Sequence, residues 1–112
     1  GHAWEMAHAS RVGMRFEFDR IPILPAALRC AKLFTFPGGA SNNKLHFSQY
    51  VRFDSRIDEN HQMLLYDPQT SGGLLLAVLE ENVPAFLEQA NSVSATAWLV
   101  GEVTDGEQIE VV

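Results

Sequence analysis

The segment formed by residues 67–75 (DPQTSGGLL) carries the residue types best suited to chemistry in this chain. Pro68 fixes its own backbone φ and disfavours a helical conformation at Asp67, so the segment is predicted to begin as a turn. Short hydroxyl groups and glycines without a Cβ atom follow, at Thr70, Ser71, Gly72 and Gly73. A ligand can approach such a main chain closely, and free N–H groups there suit an anion.

Two interpretations of residues 67–73 follow from the residues alone. In the first, main-chain amides and the two hydroxyl groups bind an anion or a water that bridges to it. In the second, Asp67 caps neighbouring amides and the glycines permit a tight entry into a following strand. A magnesium site built directly on Asp67 is disfavoured, because one carboxylate beside a proline is a weak metal motif.

A second glycine-bearing segment lies at residues 35–43 (TFPGGASNN). Its composition has no regular period, so a loop that bends at Gly38 and Gly39 is predicted. A glycine pair followed by asparagine is also common in turns without any ligand. Asn43 is the residue of this segment that we would test first for ligand contact.

The remaining reactive side chains form no recognisable site. None of the four histidines (His2, His8, His46 and His61) stands at metal-ligand spacing from another ligand residue. Cys30 is predicted to be a small buried residue of a helix, since no base or cationic pocket accompanies it. The sequence therefore predicts neither a metal site nor a nucleophile within these residues.

Composition limits the class of protein. The chain has 112 residues, 46% of them hydrophobic, and a net charge of −6, which predicts one domain and disfavours nucleic acid as a partner. One cysteine excludes an internal disulfide, and no apolar run is long enough for a transmembrane helix, so a cytoplasmic protein is expected. The chain opens on Gly1 without an initiator methionine, which indicates a fragment.

The hydrophobic pattern predicts helices alternating with strands. Helices are predicted at residues 2–12, 25–33 and 80–91, with a short helix or turn at 61–66, and strands at 14–19, 74–79, 95–103 and 108–112. Asp105 and Gly106 predict a hairpin between the last two strands. The expected fold is α+β, with a mixed β-sheet and helices packed on one side of it.

The chain resembles the C-terminal domain of selenophosphate synthetase (selenide, water dikinase), in the aminoimidazole ribonucleotide synthetase-like family. Residues 67–75 match the signature of that family without a change, and residues 1–7, 23–25, 36–43 and 100–103 resemble other segments of it. Ala40 departs from the family pattern, which usually has threonine at that position.

The resemblance implies that residues 1–112 form a single C-terminal domain, and that an N-terminal domain holds the catalytic residues and binds most of the ATP and Mg²⁺. The complete enzyme would be a homodimer that makes selenophosphate, AMP and phosphate from ATP, selenide and water. This domain would be inactive alone and would form one wall of the active-site cleft. The residues expected near substrate or phosphate are Asp67, Thr70, Ser71, Gly72, Gly73, Gly38, Gly39 and Asn43.

Two alternatives to this function stay open. One is another enzyme of the same superfamily, which acts on a purine intermediate or in hydrogenase maturation. The other is a free-standing binding or dimerisation module without catalysis. Neither alternative places a nucleic acid or a membrane among the expected partners.

Overall fold

A computed structural model describes residues 1–112. It contains five α-helices and four β-strands, joined by loops and three short 3₁₀ turns. In chain order these are α1 (His2–Ser10), β1 (Gly13–Phe16), α2 (Pro25–Lys32), α3 (Gly38–Phe47), β2 (Val51–Phe53), α4 (Glu59–Leu65), α5 (Val83–Ser92), β3 (Gly101–Thr104) and β4 (Ile109–Val111).

The four strands form one mixed sheet in the order β2-β4-β1-β3. Strand β1 pairs antiparallel with β3 and parallel with β4, while β4 also pairs parallel with β2. This mixed sheet with its helices confirms the predicted α+β fold class. The predicted hairpin is wrong in its pairing, because β1 lies between β3 and β4. The turn at Gly106, where φ is 117°, joins two strands that flank a third.

The two faces of the sheet have opposite chemistry. One face carries two cross-strand rows of apolar side chains, and the buried cluster of Ala7, Met14, Ile57, Ile109 and Val111 lies between this face, α1 and the segment before α4. The other face carries an alternating row of charges in register across all four strands. That row consists of Arg52, Glu110, Arg15 and Glu102.

The predicted strand at residues 74–79 is wrong. This segment is not part of the sheet, and Leu74 and Leu79 are 89% and 66% exposed. A run of leucines favours a buried strand only when another strand pairs with it, and here a cavity of about 80 Å³ lies between the segment and β3. For the same reason only the end of the predicted strand at 95–103 forms, as β3.

Candidate functional site

The first part of the site is the start of α3, which the sequence predicted as a loop. Pro37 holds an extended conformation with φ −64° and ψ 147°, and the helix begins at the next residue. Gly38, Ser41 and Asn42 have low helix propensity, so local preference pointed to irregular structure. The helix forms because it packs one face inward, with Ala40 completely buried and Asn43 half-buried.

The second part of the site is the turn that ends α4. Tyr66 terminates this helix, and Pro68 follows two residues later, where it cannot continue a helix. At the other end of α4, the Asp58 carboxylate accepts a hydrogen bond from the His61 amide at 3.0 Å. The segment from Asp67 onwards therefore leaves a helix whose two ends are both well defined.

Two contacts join α3 to this turn. The Asn43 side-chain Nδ2 donates a hydrogen bond of 2.9 Å to the main-chain oxygen of Tyr66. Gly39 packs so closely on Pro68 that a Cβ atom at residue 39 would lie 2.8 Å from Pro68 Cγ. The structure therefore brings together the two glycine-bearing segments that the sequence singled out.

A pocket of about 290 Å³ lies where these segments meet the beginning of α1. Of the residues that the sequence predicted, Asn43, Asp67 and Thr70 line it. Sequence reasoning missed several lining residues, among them Glu5. The only signal that could have found Glu5 is its position within residues 1–7, one of the segments that carry the family resemblance. The full lining consists of Gly1, His2, Glu5, Asn43, Phe47, Leu65, Tyr66, Asp67, Pro68, Gln69 and Thr70.

The charge of the pocket is negative. Glu5 and Asp67 contribute carboxylates, whereas no lysine or arginine lines the pocket. The nearby cation of α3, Lys44, lies outside the lining and its Nζ pairs with Glu59 Oε1 at 2.6 Å. The two carboxylates disfavour a free phosphate group, and cations or basic groups supplied from outside this chain would offset that repulsion.

The rest of the Asp67 segment offers hydrogen-bond donors. The main-chain amides of residues 70–73 donate to no main-chain carbonyl of the chain. Ser71, Gly72 and Gly73 are exposed and lie beyond the pocket lining, as does Gly38 at the start of α3. A Cβ atom at Gly73 would have no chain atom within 4 Å, and φ is not left-handed at either glycine. A Cβ atom at Gly72 would meet only the flexible Gln69 side chain, with Oε1 at 3.2 Å, so the packing of this chain does not require either glycine and the space beside Gly73 is open to another group.

Tyr66 is one of the residues that line the pocket. It is 5% exposed and also borders a mainly apolar cavity of about 200 Å³ next to the sheet. Burial raises the pKa of its hydroxyl above the ordinary value of 10.0. This hydroxyl therefore stays protonated at neutral pH.

The other reactive residues lie apart from one another. His8 stacks on Trp4 with ring centroids 4.8 Å apart, and His61 Nδ1 lies 2.9 Å from Asp58 Oδ1. Cys30 is exposed, so the prediction that it is buried is wrong. It lies on α2, where the packed face is formed instead by Ala31. The chain contains no group of three or more His, Cys, Asp or Glu residues that could hold a metal ion.

Comparison with known proteins identifies the family. All 112 residues match the model of the family described as AIR synthase related protein, C-terminal domain. This chain belongs to that family. The match confirms the resemblance and the fold that the sequence motifs implied. None of the helices of this chain is long and apolar enough to cross a membrane.

Three curated proteins to which this chain is similar are selenide, water dikinases. The chain is 36% identical over 112 residues to a selenide, water dikinase of Caldanaerobacter subterraneus subsp. tengcongensis, covering 99% of this chain and 32% of that protein. It is 36% identical over 113 residues to selenide, water dikinase 2 of Peptoclostridium acidaminophilum, covering 100% of this chain and 32% of the relative. It is 42% identical over 81 residues to the selenide, water dikinase of Clostridioides difficile, covering 72% of this chain and 23% of the relative. The chain spans about a third of the length of the first two proteins.

Proposed function

We propose that this chain is the C-terminal domain of a selenophosphate synthetase. The complete enzyme converts ATP, selenide and water into selenophosphate, AMP and phosphate. The observation that carries this proposal is the position of the DPQTSGGLL segment: Asp67 and Thr70 line a pocket with Asn43, and the amides that follow them are free. The similarity to proteins named selenide, water dikinase over the whole chain supports it.

In this proposal the domain forms one wall of the active-site cleft. The Thr70 hydroxyl and the free amides of residues 70–73 donate hydrogen bonds to phosphoryl oxygens or to waters that bridge to them. The carboxylates of Glu5 and Asp67 make the wall unsuited to a bare anion. The opposite wall, which belongs to the N-terminal domain, must therefore bring the cations and basic groups that neutralise ATP.

The chain's own residues fit a supporting role in the chemistry. Phosphoryl transfer depends mainly on positioning and electrostatic stabilisation. One phosphoryl group of ATP ends on selenium and the other on water, which leaves AMP. Mg²⁺ would supply charge neutralisation for the phosphates. This chain has no group of three or more carboxylate, His or Cys ligands to hold the ion, so most ATP and Mg²⁺ binding falls to the N-terminal domain in this proposal.

In this proposal the domain works as part of a larger enzyme. Residues 1–112 are the C-terminal domain of a longer cytoplasmic protein whose partners are its own N-terminal domain and a second subunit in a homodimer. We expect the isolated domain to be inactive, because the family resemblance implies that a reactive Cys or selenocysteine, an essential lysine and magnesium-binding aspartates belong to the N-terminal half. ATP and selenide are the substrates of the assembled enzyme.

The test is selenide-dependent formation of AMP from ATP by the complete protein. Asp67→Asn keeps the size of the side chain but removes a carboxylate that, in this proposal, attracts the cations and basic groups of the opposite wall, so we expect a loss of kcat/KM of about 10-fold or more. The control is Asp105→Asn, the same change in the exposed turn before β4. A complete protein without selenide-dependent turnover, or equal activity of the two variants, would contradict the proposal.

A further inference from the structure

We infer that Gly39 and Asn43 are positioning residues, which act on the active site through the Asp67 segment rather than by touching substrate. The two residues are four positions apart on α3, so they lie on the same face of the helix. Each makes one contact with the turn at 66–68: Asn43 with the Tyr66 carbonyl, and Gly39 with Pro68. This inference rests on the proposed function for its effect on catalysis.

The hydrogen bond commits one N–H of the Asn43 side-chain amide to the turn, which favours a positioning role for this residue. Its Nδ2 points to the Tyr66 oxygen at 2.9 Å in a half-buried position. Tyr66 is the last turn residue before Asp67, so this bond fixes the point from which the segment departs. A helix C-terminus leaves main-chain carbonyls without partners inside the helix, and a side-chain donor that satisfies one of them fixes how the chain leaves the helix.

Gly39 allows α3 to pack closely against Pro68 in the turn after α4. With a 2.8 Å approach between an added Cβ and Pro68 Cγ, any larger residue at 39 would push Pro68 outward. Pro68 is rigid and directly follows Asp67, so the displacement would pass to the carboxylate and to the amides after it. Gly38 is different: a Cβ atom there would meet no atom within 4 Å. Only the second glycine of the pair is therefore required by the packing of this domain.

The burial of Ala40 agrees with a positioning role for Gly39 and Asn43. Ala40 is a completely buried residue of α3 and lies between the two positioning residues in sequence. In this protein the family's usual threonine is absent from a site that faces the core, and Asn43 and Gly39 still hold the turn. The motif therefore works here as a means of holding α3 against the Asp67 segment, without a hydroxyl group at residue 40.

The first experiment compares Asn43→Ala with Asn42→Ala in the complete protein. Asn42 is the exposed neighbour on the same helix, so the chemical change is identical. We expect Asn43→Ala to lower kcat for selenide-dependent AMP formation by about 10- to 100-fold, with a smaller change in the KM for ATP, because misplaced donors affect the transition state most. Equal kcat values for the two variants would overturn the inference.

The second experiment uses compensation. Gly39→Ala should lower kcat in the same way, and adding Pro68→Ala should restore a large part of it, because the second change removes the Cγ atom that the new methyl group displaces. A loss caused by general instability would not be rescued by a further truncation. If Gly39→Ala is as active as wild type, or if the double variant is no better than Gly39→Ala, the inference is wrong.

A third measurement separates this inference from the proposed function. Hydrogen–deuterium exchange of the peptide covering residues 64–73 reports the order of the turn whether or not the protein makes selenophosphate. Asn43→Ala and Gly39→Ala should accelerate this exchange relative to Asn42→Ala and Gly38→Ala. If wild type shows no selenide-dependent turnover but this difference appears, the proposed function fails while the positioning contact stands; without the difference the contact itself is refuted.

Discussion

The Thr70 side chain offers a direct test of the pocket at the scale of one residue. It lines the pocket, and its hydroxyl makes no hydrogen bond within the chain. We expect Thr70→Val to lower kcat/KM of the complete protein by about 10-fold, the value of one lost hydrogen bond to a charged group. Thr96→Val, the same change in an exposed irregular segment, is the control. Equal rates in the two variants would show that the Thr70 hydroxyl does not meet substrate.

A substitution at Gly73 is expected to lower activity without lowering stability. A side chain at this position would enter open space, since no chain atom lies within 4 Å of its Cβ position. We therefore expect Gly73→Val to change the free energy of unfolding by no more than about 0.5 kcal/mol. If the proposed function is right, its activity in the complete protein should nevertheless fall, because a side chain would crowd the bend that faces the nucleotide or the other domain. Thermal unfolding and AMP formation, measured on one preparation, give both values, and wild-type activity would remove the argument for close approach.

Gly101 gives the strongest prediction at the scale of one element. An ideal Cβ atom there would overlap the carbonyl oxygen of Arg15 on the neighbouring strand, so alanine cannot be added without moving β3 from β1. We expect Gly101→Ala to destabilise the domain by about 1–3 kcal/mol, the usual cost of overpacking. Urea unfolding measures this, with Gly73→Ala as the matched change into open space. An unchanged midpoint for Gly101→Ala would contradict the close pairing of β1 and β3.

The sequence predicted elements well where local pattern and final packing agree. α1, α2 and α5 follow apolar spacing with clear ends, and each forms close to the predicted bounds. It failed at α3, where glycine, serine and asparagine hide a helix that forms through burial of Ala40. The predicted strand at 74–79 is also wrong, because a run of leucines indicates a tendency to be buried and does not show which element buries it.

The candidate site was only partly visible in the sequence for a related reason. The two glycine-bearing segments are 24 or more residues apart, from Asn43 to Asp67, and no local pattern indicates that α3 packs on the turn after α4. The types of residue suggested anion binding in the Asp67 segment and only a possible ligand contact at Asn43 in the other segment. Their contact and the negative charge contributed by Glu5 come from the tertiary fold, and they make the pocket less suited to a bare anion than the residue types of the Asp67 segment alone suggest.

The row of charges across the sheet makes the stability of the whole domain depend on pH. Hydrogen bonds from Arg15, together with the charge of Arg52, lower the pKa of Glu110 below its ordinary value of 4.5. The carboxylate therefore stabilises the fold at pH values above 4.5, and this contribution is lost as the pH falls through the lowered pKa. We expect Glu110→Gln to be less stable than wild type at pH 7 and the difference to disappear in acid.

Urea unfolding at a series of pH values measures this difference. The control is Glu107→Gln, a change of the same kind in the exposed turn before β4, where no ion pair forms. A Glu110→Gln variant whose deficit is constant with pH would show that the row of charges contributes no pH-dependent stability.

The last prediction concerns the chain as a whole and its dependence on another domain. Its pocket lacks basic residues, its ionisable residues form no metal cluster, and large apolar side chains such as Leu74, Leu76 and Trp98 are more than half exposed. We therefore expect residues 1–112 alone to form no AMP from ATP with selenide, whereas the complete protein does. Circular dichroism of the isolated chain must first confirm that it is folded, so that inactivity reflects missing groups. Measurable selenide-dependent AMP formation by the folded chain would mean that the catalytic groups lie within these 112 residues, and the division of work between two domains would be wrong.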